Sequence, residues 1–285
     1  MYEKLIDELE QDQSLYETDR LHGRIEALDL LDSYLADGQV ADQREESAET
    51  ELQQRAKAIY ARLEAANARF YEAIRSETRQ GVRPELLRWM SGEGSVISPP
   101  SGEGYDYLDD LVSGILQFNR PSGSLSELPE EMVLFQPTPA RHIFDLLRRT
   151  ELTDEDVLVD LGAGLGHLPL LTAICTEAHS VGIELDAAYV DCARRSADAL
   201  NLNRAIFLQQ DARVTDFSHG TVFYLYTPFG GSVLRSVLSS LRQQASSREI
   251  RICTYGPCTL VIAREPWLQA DRSLATDQVA IFRSH

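Results

Sequence analysis

Four residues with chemistry in view stand at every second position: Asp160, Gly162, Gly164 and Gly166, directly after the apolar run Val157-Leu158-Val159. A new apolar pattern with helical spacing starts at once, through Leu168, Leu170, Leu171 and Ile174. The spacing predicts a buried strand, a tight glycine-rich turn and a helix. Such a turn lets the polar groups of a ligand approach bare backbone at a helix N-terminus. The expected ligand is a nucleoside. Three more groups stand at the ends of the strands that follow: Glu184, Asp211 and the run Tyr226-Thr227-Pro228-Phe229. A carboxylate at the place of Glu184 can accept both ribose hydroxyls.

The elements that must position these groups alternate. Strands are predicted at 157–160, 180–184, 205–209, 221–226 and near 249–254. Helices are predicted to about 176, from about Ala187 to Leu200, and from about Ser232 to Arg242. Strand candidates in the tail are Thr259–Ala263 and Gln278–Phe282. Regular alternation argues an α/β fold with a doubly wound, Rossmann-like, seven-stranded mixed sheet, its final strand antiparallel and inserted at the edge. All the candidate groups then share the carboxyl edge of the sheet, where open α/β sheets bind ligands.

The dinucleotide fingerprint GxGxxG requires glycine where this chain has His167. The pattern Asp-x-Gly-x-Gly-x-Gly instead resembles the first motif of class I S-adenosylmethionine-dependent methyltransferases. The resemblance implies a turn of Gly162, Ala163, Gly164 and Gly166 beneath the methionine and ribose parts of S-adenosylmethionine. It also implies that Asp160 helps to hold that end, directly or through water. Glu184, with Leu185 beside it, takes the ribose. Asp211, with Ala212, takes the adenine amino group. Tyr226, Thr227, Pro228 and Phe229 line the methyl-transfer site.

A closer resemblance covers roughly residues 134–230. Gln136-Pro-Thr-Pro139, the segment Leu152-Thr-Asp-Glu-Asp-Val-Leu-Val-Asp-Leu-Gly162, and Val181-Gly-Ile-Glu184 are similar to the SET-independent histone lysine methyltransferases of the telomeric-silencing-disruptor type. By that resemblance Thr138 touches the methionine moiety. The chain departs from the family after the fourth strand, where an Asn-rich stretch is replaced by Tyr226-Thr227-Pro228-Phe229-Gly230. The Asn-Pro-Pro-aromatic signature of amino-methylating nucleic-acid enzymes is also missing. The methyl acceptor therefore stays open between a protein side chain, lysine included, and a small molecule. Methyl transfer from a sulfonium is an in-line displacement that needs no metal, and none is expected.

Three regions are expected: helices over 1–90, a loop-rich segment over 91–133, and the Rossmann-like domain over 134–285. Leu21, Ile25, Leu28, Leu31 and Leu35 mark one helical stripe, expected to end at Asp37-Gly38. A second helix is expected from about Asp42, with Leu52, Ala56, Ile59, Leu63, Ala66, Phe70 and Ile74 along its seam. The two stripes are expected to pack as an antiparallel hairpin. It serves either as an arm, open to homodimer formation, or as a substrate-recognition module. A short helix is expected from Tyr105 to about Phe118, in a strongly acidic neighbourhood that includes Asp106 and Asp109. Tyr105, Tyr107, Tyr226 and His167 are candidates to line the pocket.

The formal net charge of −18 opposes general binding to phosphate backbones. None of the four cysteines stands in a CxxC pair or near a histidine at metal-ligand spacing. No signal peptide and no run of membrane-span length is read, so the cytoplasm is the expected compartment. Two other functions stay open: a non-catalytic S-adenosylmethionine-binding assembly protein, and a nicotinamide-dependent oxidoreductase. His167 and Asp160 argue against the second.

Overall fold

A computed structural model describes residues 2–42, 51–90, 101–102, 104–118, 136–272 and 274–285. Most of the loops expected over 91–104 and 120–129, and the expected start of the second long helix, lie outside these residues. The chain divides into two compact units, Met1–Arg75 and Ser76–His285.

The first unit is helical. It holds α1 (Tyr2–Gln11), a 3-10 turn (Gln13–Tyr16), α2 (Leu21–Asp42) and most of α3 (Glu51–Arg79). Ala27, Leu28 and Leu31 of α2 pack with Ala56, Ile59 and Leu63 of α3, so the two stripes do meet. Ile6 of α1 and Leu15 of the 3-10 turn complete that core. The stop expected at Asp37-Gly38 is not taken, because α2 continues to Asp42. A lone glycine makes a helix interior costlier by about 1 kcal/mol without obliging it to end. Arg24, 1% exposed, ties the unit together, its Nε donating to Asn67 Oδ1 at 2.6 Å and its Nη1 to the Leu15 carbonyl at 3.0 Å.

The second unit carries α4 (Tyr107–Leu116) and α5 (Ala140–Thr150) before the sheet begins. Then follow β1 (Val157–Leu161), α6 (His167–Cys175), β2 (His179–Glu184), α7 (Ala187–Ala199) and β3 (Ala205–Gln209). The series ends with β4 (Val222–Leu225), α8 (Gly231–Ala245), β5 (Arg251–Thr254), α9 (Cys258–Ile262), β6 (Leu268–Ala270) and β7 (Ala280–Ser284). The sheet has seven strands in the order β3-β2-β1-β4-β5-β7-β6. Neighbours from β3 to β5 run parallel, whereas β7 runs antiparallel to both β5 and β6. The edge place expected for the final strand goes to β6 (Leu268–Ala270), with the final strand one position inside it. The order reverses between β1 and β4, which opens a crevice above the end of β1. At the opposite edge Asp156 locks three strand starts, accepting from Thr221 Oγ1 at 2.8 Å and from Arg251 Nη2 at 2.6 Å. Val159, Leu161, Phe223, Leu225 and Ile252 fill the core with the inner faces of α8 and α9.

Two tail elements differ from expectation. Thr259–Ala263, read as a strand from its β-branched run, lies in helix α9 and its C-cap. Gly256 and Pro257 turn the chain first, and the burial that follows has helical spacing. Cys258, Thr259 and Ile262 face inward, while Leu260 and Val261 are exposed. The three-residue β6, Leu-Gln-Ala, has no strand signature of its own and forms because β7 offers it an edge.

Candidate active site

The three glycines of the turn all take left-handed backbone, with φ of 89° at Gly162, 52° at Gly164 and 85° at Gly166. Sterics of close approach add to the requirement. A Cβ on Gly162 would lie 2.3 Å from Cβ of Pro228, and one on Gly166 would lie 2.5 Å from the ring of Phe207. The turn is thus pressed between the end of β4 and the ring projected by β3. Gly162→Ala is expected to cost about 2–4 kcal/mol, from the left-handed penalty and the overpacking together. Urea unfolding checks this, and a loss under 1 kcal/mol would show that Pro228 is free to move.

Glu184, at the end of β2, clamps the turn. Its Oε2 accepts from the Gly164 N–H at 2.9 Å, and its Oε1 accepts from the N–H groups of Leu185 at 2.7 Å and Asp186 at 2.9 Å. Asp160 stands opposite Gly182 on β2 and Tyr224 on β4. It is 6% exposed, and burial, with repulsion from Glu184 second, pushes its carboxyl up to about 8. Beside it Tyr224 and Thr138 join hydroxyls at 2.9 Å. Asp211, after β3, caps the turn Ala212–Val214 and accepts from the Arg213 guanidinium at 2.6–3.1 Å. That bond is the main reason its carboxyl is held below the usual range.

A cavity of about 290 Å³ opens beside the turn. Its lining includes Tyr105, Asp109, Ser113, Thr138, Ile143 and His167. Asp109 does two structural jobs there. It accepts from the Asp106 N–H in the capping box of α4, and from the Ala140 N–H at the start of α5, both at 2.8 Å. Asp106 in turn pairs with Arg141 at 3.0 Å. These two acidic side chains are committed internally rather than forming a free acidic rim. Burial lowers His167 to about 4, so its imidazole is neutral at physiological pH. Its ring stacks 4.6 Å from that of Phe118. Tyr107 is not at this cavity; its hydroxyl donates to the Trp89 carbonyl.

The run after β4 divides. Tyr226 is half-buried, and its ring lies tilted 4.7 Å from that of Tyr255, at the end of β5. Thr227 holds a left-handed φ of 42°, rare for a β-branched residue, and its Oγ1 accepts from the Cys258 N–H at 3.2 Å. Pro228 covers Gly162. Phe229 is 3% exposed and packs in the hydrophobic core with Val233 and Leu234. It lines no described cavity, and its part is to anchor the turn from below.

The structure therefore brings Thr138, Asp160, Gly162, Ala163, Gly164, Gly166 and Glu184 to the crevice at the end of β1. Leu185, Asp211 and Ala212 follow along the same edge at the ends of β2 and β3. Arg141, His142 and Tyr255 were not singled out from the sequence. Tyr255 carried a usable signal, since it follows the end of β5 as Tyr226 follows the end of β4. Among the described residues no group of three or more His, Cys, Asp or Glu is arranged to hold a metal, and no helix is long and apolar enough to cross a membrane.

A family model described as "Histone methylation protein DOT1" matches residues 137–222. The 23S rRNA (uracil(747)-C(5))-methyltransferase RlmC of Shewanella amazonensis is 29% identical over 140 residues, 49% of this chain and 33% of that protein. The chain thus spans about a third of that relative's length. Among solved structures, an RNA methyltransferase from Salinibacter ruber in complex with S-adenosyl-L-homocysteine shares 27% identity over 52% of this chain and 92% of that one, with a TM-score of 0.43. The putative methyltransferase yhhF from Escherichia coli shares 18% identity over 55% and 90%, also with a TM-score of 0.43.

Proposed function

We propose that this chain transfers a methyl group from S-adenosylmethionine to a nitrogen or oxygen nucleophile on a protein side chain; the strand order and the family-model match over residues 137–222 support a class I methyltransferase fold. The observation that carries the reading is the clamp of Glu184 on the Gly164 amide. It joins the glycine turn to the ribose-accepting position in one rigid unit.

The residues fit the cofactor part by part. The open turn offers backbone without side chains. Glu184 keeps one lone-pair site, on Oε2, for a ribose hydroxyl after its three backbone bonds. Leu185 and Ala212 give adenine apolar contact. Asp211 meets the adenine amino group once Arg213 yields, and an exposed ion pair of this kind is worth only about 0–1 kcal/mol. Thr138 and the cavity beside it take the methionine end, where Asp160 faces positive charge. When bound, the cofactor supplies an electrophilic sulfonium methyl. Tyr226 and Thr227 orient the acceptor at the end of β4, Pro228 fixes the turn beneath, and Phe229 anchors it. The neutral His167 imidazole stands at the cavity as a hydrogen-bonding group without added charge. The helical region, 1–90, serves acceptor recognition or self-assembly.

The nucleophile is argued from what the chain lacks as well. Methylation of uracil C5, the reaction in the RlmC name, requires that a nucleophile first add to the ring to make the carbon reactive. Burial pushes Cys175 and Cys253 up to about 12 and raises Cys258, which leaves these thiols protonated at neutral pH. Cys192 is buried within α7. A heteroatom acceptor with its own lone pair needs no such step. A net charge of −18 also favours a basic protein segment over RNA.

The first test is thermal shift. S-adenosylhomocysteine at a hundred times its Kd is expected to add about 2.7 kcal/mol of stability, and NAD none. The reverse pattern would overturn the reading. For the acceptor, radiolabelled S-adenosylmethionine is incubated with the protein and cell extract, and the products are fractionated. Label is expected in protein; label confined to RNA or to small metabolites would replace the acceptor class while leaving the cofactor assignment in place.

A further inference from the structure

Three donors converge on one backbone carbonyl. Gly102 O accepts from Tyr255 Oη at 3.1 Å, from His142 Nε2 at 2.8 Å and from Arg141 Nη2 at 3.1 Å. Arg141 also donates to the Gly104 carbonyl and to Asp106. Tyr105 donates to the Pro137 carbonyl at 2.9 Å, and Asp109 holds the Ala140 N–H. The strap Gly104–Asp109 is thereby fastened along the start of α5. Its Tyr105 and Asp109 line the cavity together with Thr138 and His167.

Tyr255 is unusual among the fasteners, since it reaches both sides of the site. Its ring lies tilted against that of His142, at 4.4 Å between centroids, and against that of Tyr226, at 4.7 Å. It is fully buried, so moving it disturbs both neighbours. His142 is equally buried, and burial lowers its pKa; because a carbonyl only accepts, the tautomer that bonds Gly102 carries its proton on Nε2. A carbonyl has two lone pairs, and three donors over-determine its place.

We propose that Tyr255 is a positioning residue that couples the strap Gly104–Asp109 to Tyr226, through Gly102 and the Arg141 guanidinium that binds Gly102, Gly104 and Asp106, so that one contact sets both cofactor retention and the shape of the acceptor wall. This rests on the functional reading above for what fills the cavity, but the coupling itself is a property of the chain. It predicts that the acceptor wall is complete only while the strap is fastened.

The test uses the full-length chain, with hydrogen–deuterium exchange over 104–109 and stopped-flow release of S-adenosylhomocysteine. Tyr255→Phe and His142→Phe each remove one donor and keep a ring. Each is expected to speed strap exchange and ligand release by about three- to tenfold, the worth of one hydrogen bond. His142→Gln restores an N–H at the reach of Nε2 and is expected to stay within about twofold of wild type. Tyr226→Leu does not alter the fasteners themselves, yet it is expected to speed strap exchange through Tyr255. If Tyr255→Phe lowers the melting temperature but leaves exchange and release unchanged, its role is structural and the proposal is overturned. If Tyr226→Leu leaves strap exchange unchanged, the coupling is overturned. A wild-type chain that fails to bind S-adenosylhomocysteine overturns the cofactor reading instead, and the exchange data still decide the coupling.

Discussion

Glu184→Ala is expected to weaken binding of S-adenosylhomocysteine by about ten- to a hundredfold. The carboxylate accepts from Gly164, Leu185 and Asp186, which leaves one lone-pair site, on Oε2, for a ribose hydroxyl. A hydrogen bond to a charged group is worth about 1.5–3 kcal/mol. Every 1.4 kcal/mol is a factor of ten, so one such bond gives about ten- to a hundredfold. Alanine also frees the Gly164 amide, and the turn then loses its tie to β2. The expected loss of fold stability is smaller, about 1–3 kcal/mol, since water can replace part of what is removed. Isothermal titration with S-adenosylhomocysteine, alongside urea unfolding, separates the two effects. Affinity within about threefold of wild type would remove Glu184 from the ribose site. Glu184→Gln is expected to fall between, since its amide turns a donor towards one of the three backbone N–H groups it replaces an acceptor for.

Why Glu184 was legible in the sequence, and the bond of Tyr255 to Gly102 was not, follows from the range of the forces involved. Strand, turn and helix around Asp160–Gly166 are local: apolar spacing and glycine placement set them, and the observed φ values agree. The acids at the ends of β2 and β3 follow from counting strands. The doubly wound, mixed character of the sheet could be inferred because alternation leaves few right-handed arrangements. By contrast, Gly102 and Tyr255 are 153 residues apart, and nothing local marks a carbonyl that will collect three donors. The capture of Asp211 by Arg213 was missed for a different reason. Two residues so near in sequence pair only because the turn Ala212–Val214 folds the guanidinium back. Phe229 shows the limit of motif transfer. Its position after β4 suggested the reaction site, but an aromatic there gains more from the core beneath α8. The strand read at Thr259–Ala263 failed where Gly256 and Pro257 overrode propensity.

Asp160→Asn is expected to change how both stability and cofactor binding depend on pH. The wild-type carboxyl sits at about 8 in the folded chain, first because it is buried and second because Glu184 repels its charge. An unfolded aspartate titrates near 3.9. Between these values the folded state holds a proton that the unfolded state has lost. Stability of the ligand-free protein should therefore be greatest towards pH 4 as far as this group is concerned, and fall as pH rises through 8. Asparagine carries no such proton, so the variant's melting temperature should lose this downward slope between pH 6 and 8. Binding runs the other way. A sulfonium and an ammonium both favour the ionised carboxylate, so S-adenosylmethionine should bind more tightly as pH rises from 6 to 8 and release a proton below that. Full linkage gives up to about tenfold per pH unit. Titrations in two buffers of different ionisation enthalpy count the proton directly. In Asp160→Asn the proton release should vanish and the affinity should become flat across the window. The two slopes have opposite sign because they share one cause: the empty site keeps the carboxyl protonated, and a bound cation favours its ionised form. Parallel wild-type and variant profiles in both measurements would show that Asp160 stays ionised in the empty crevice, and that the cofactor's positive end is met by other groups.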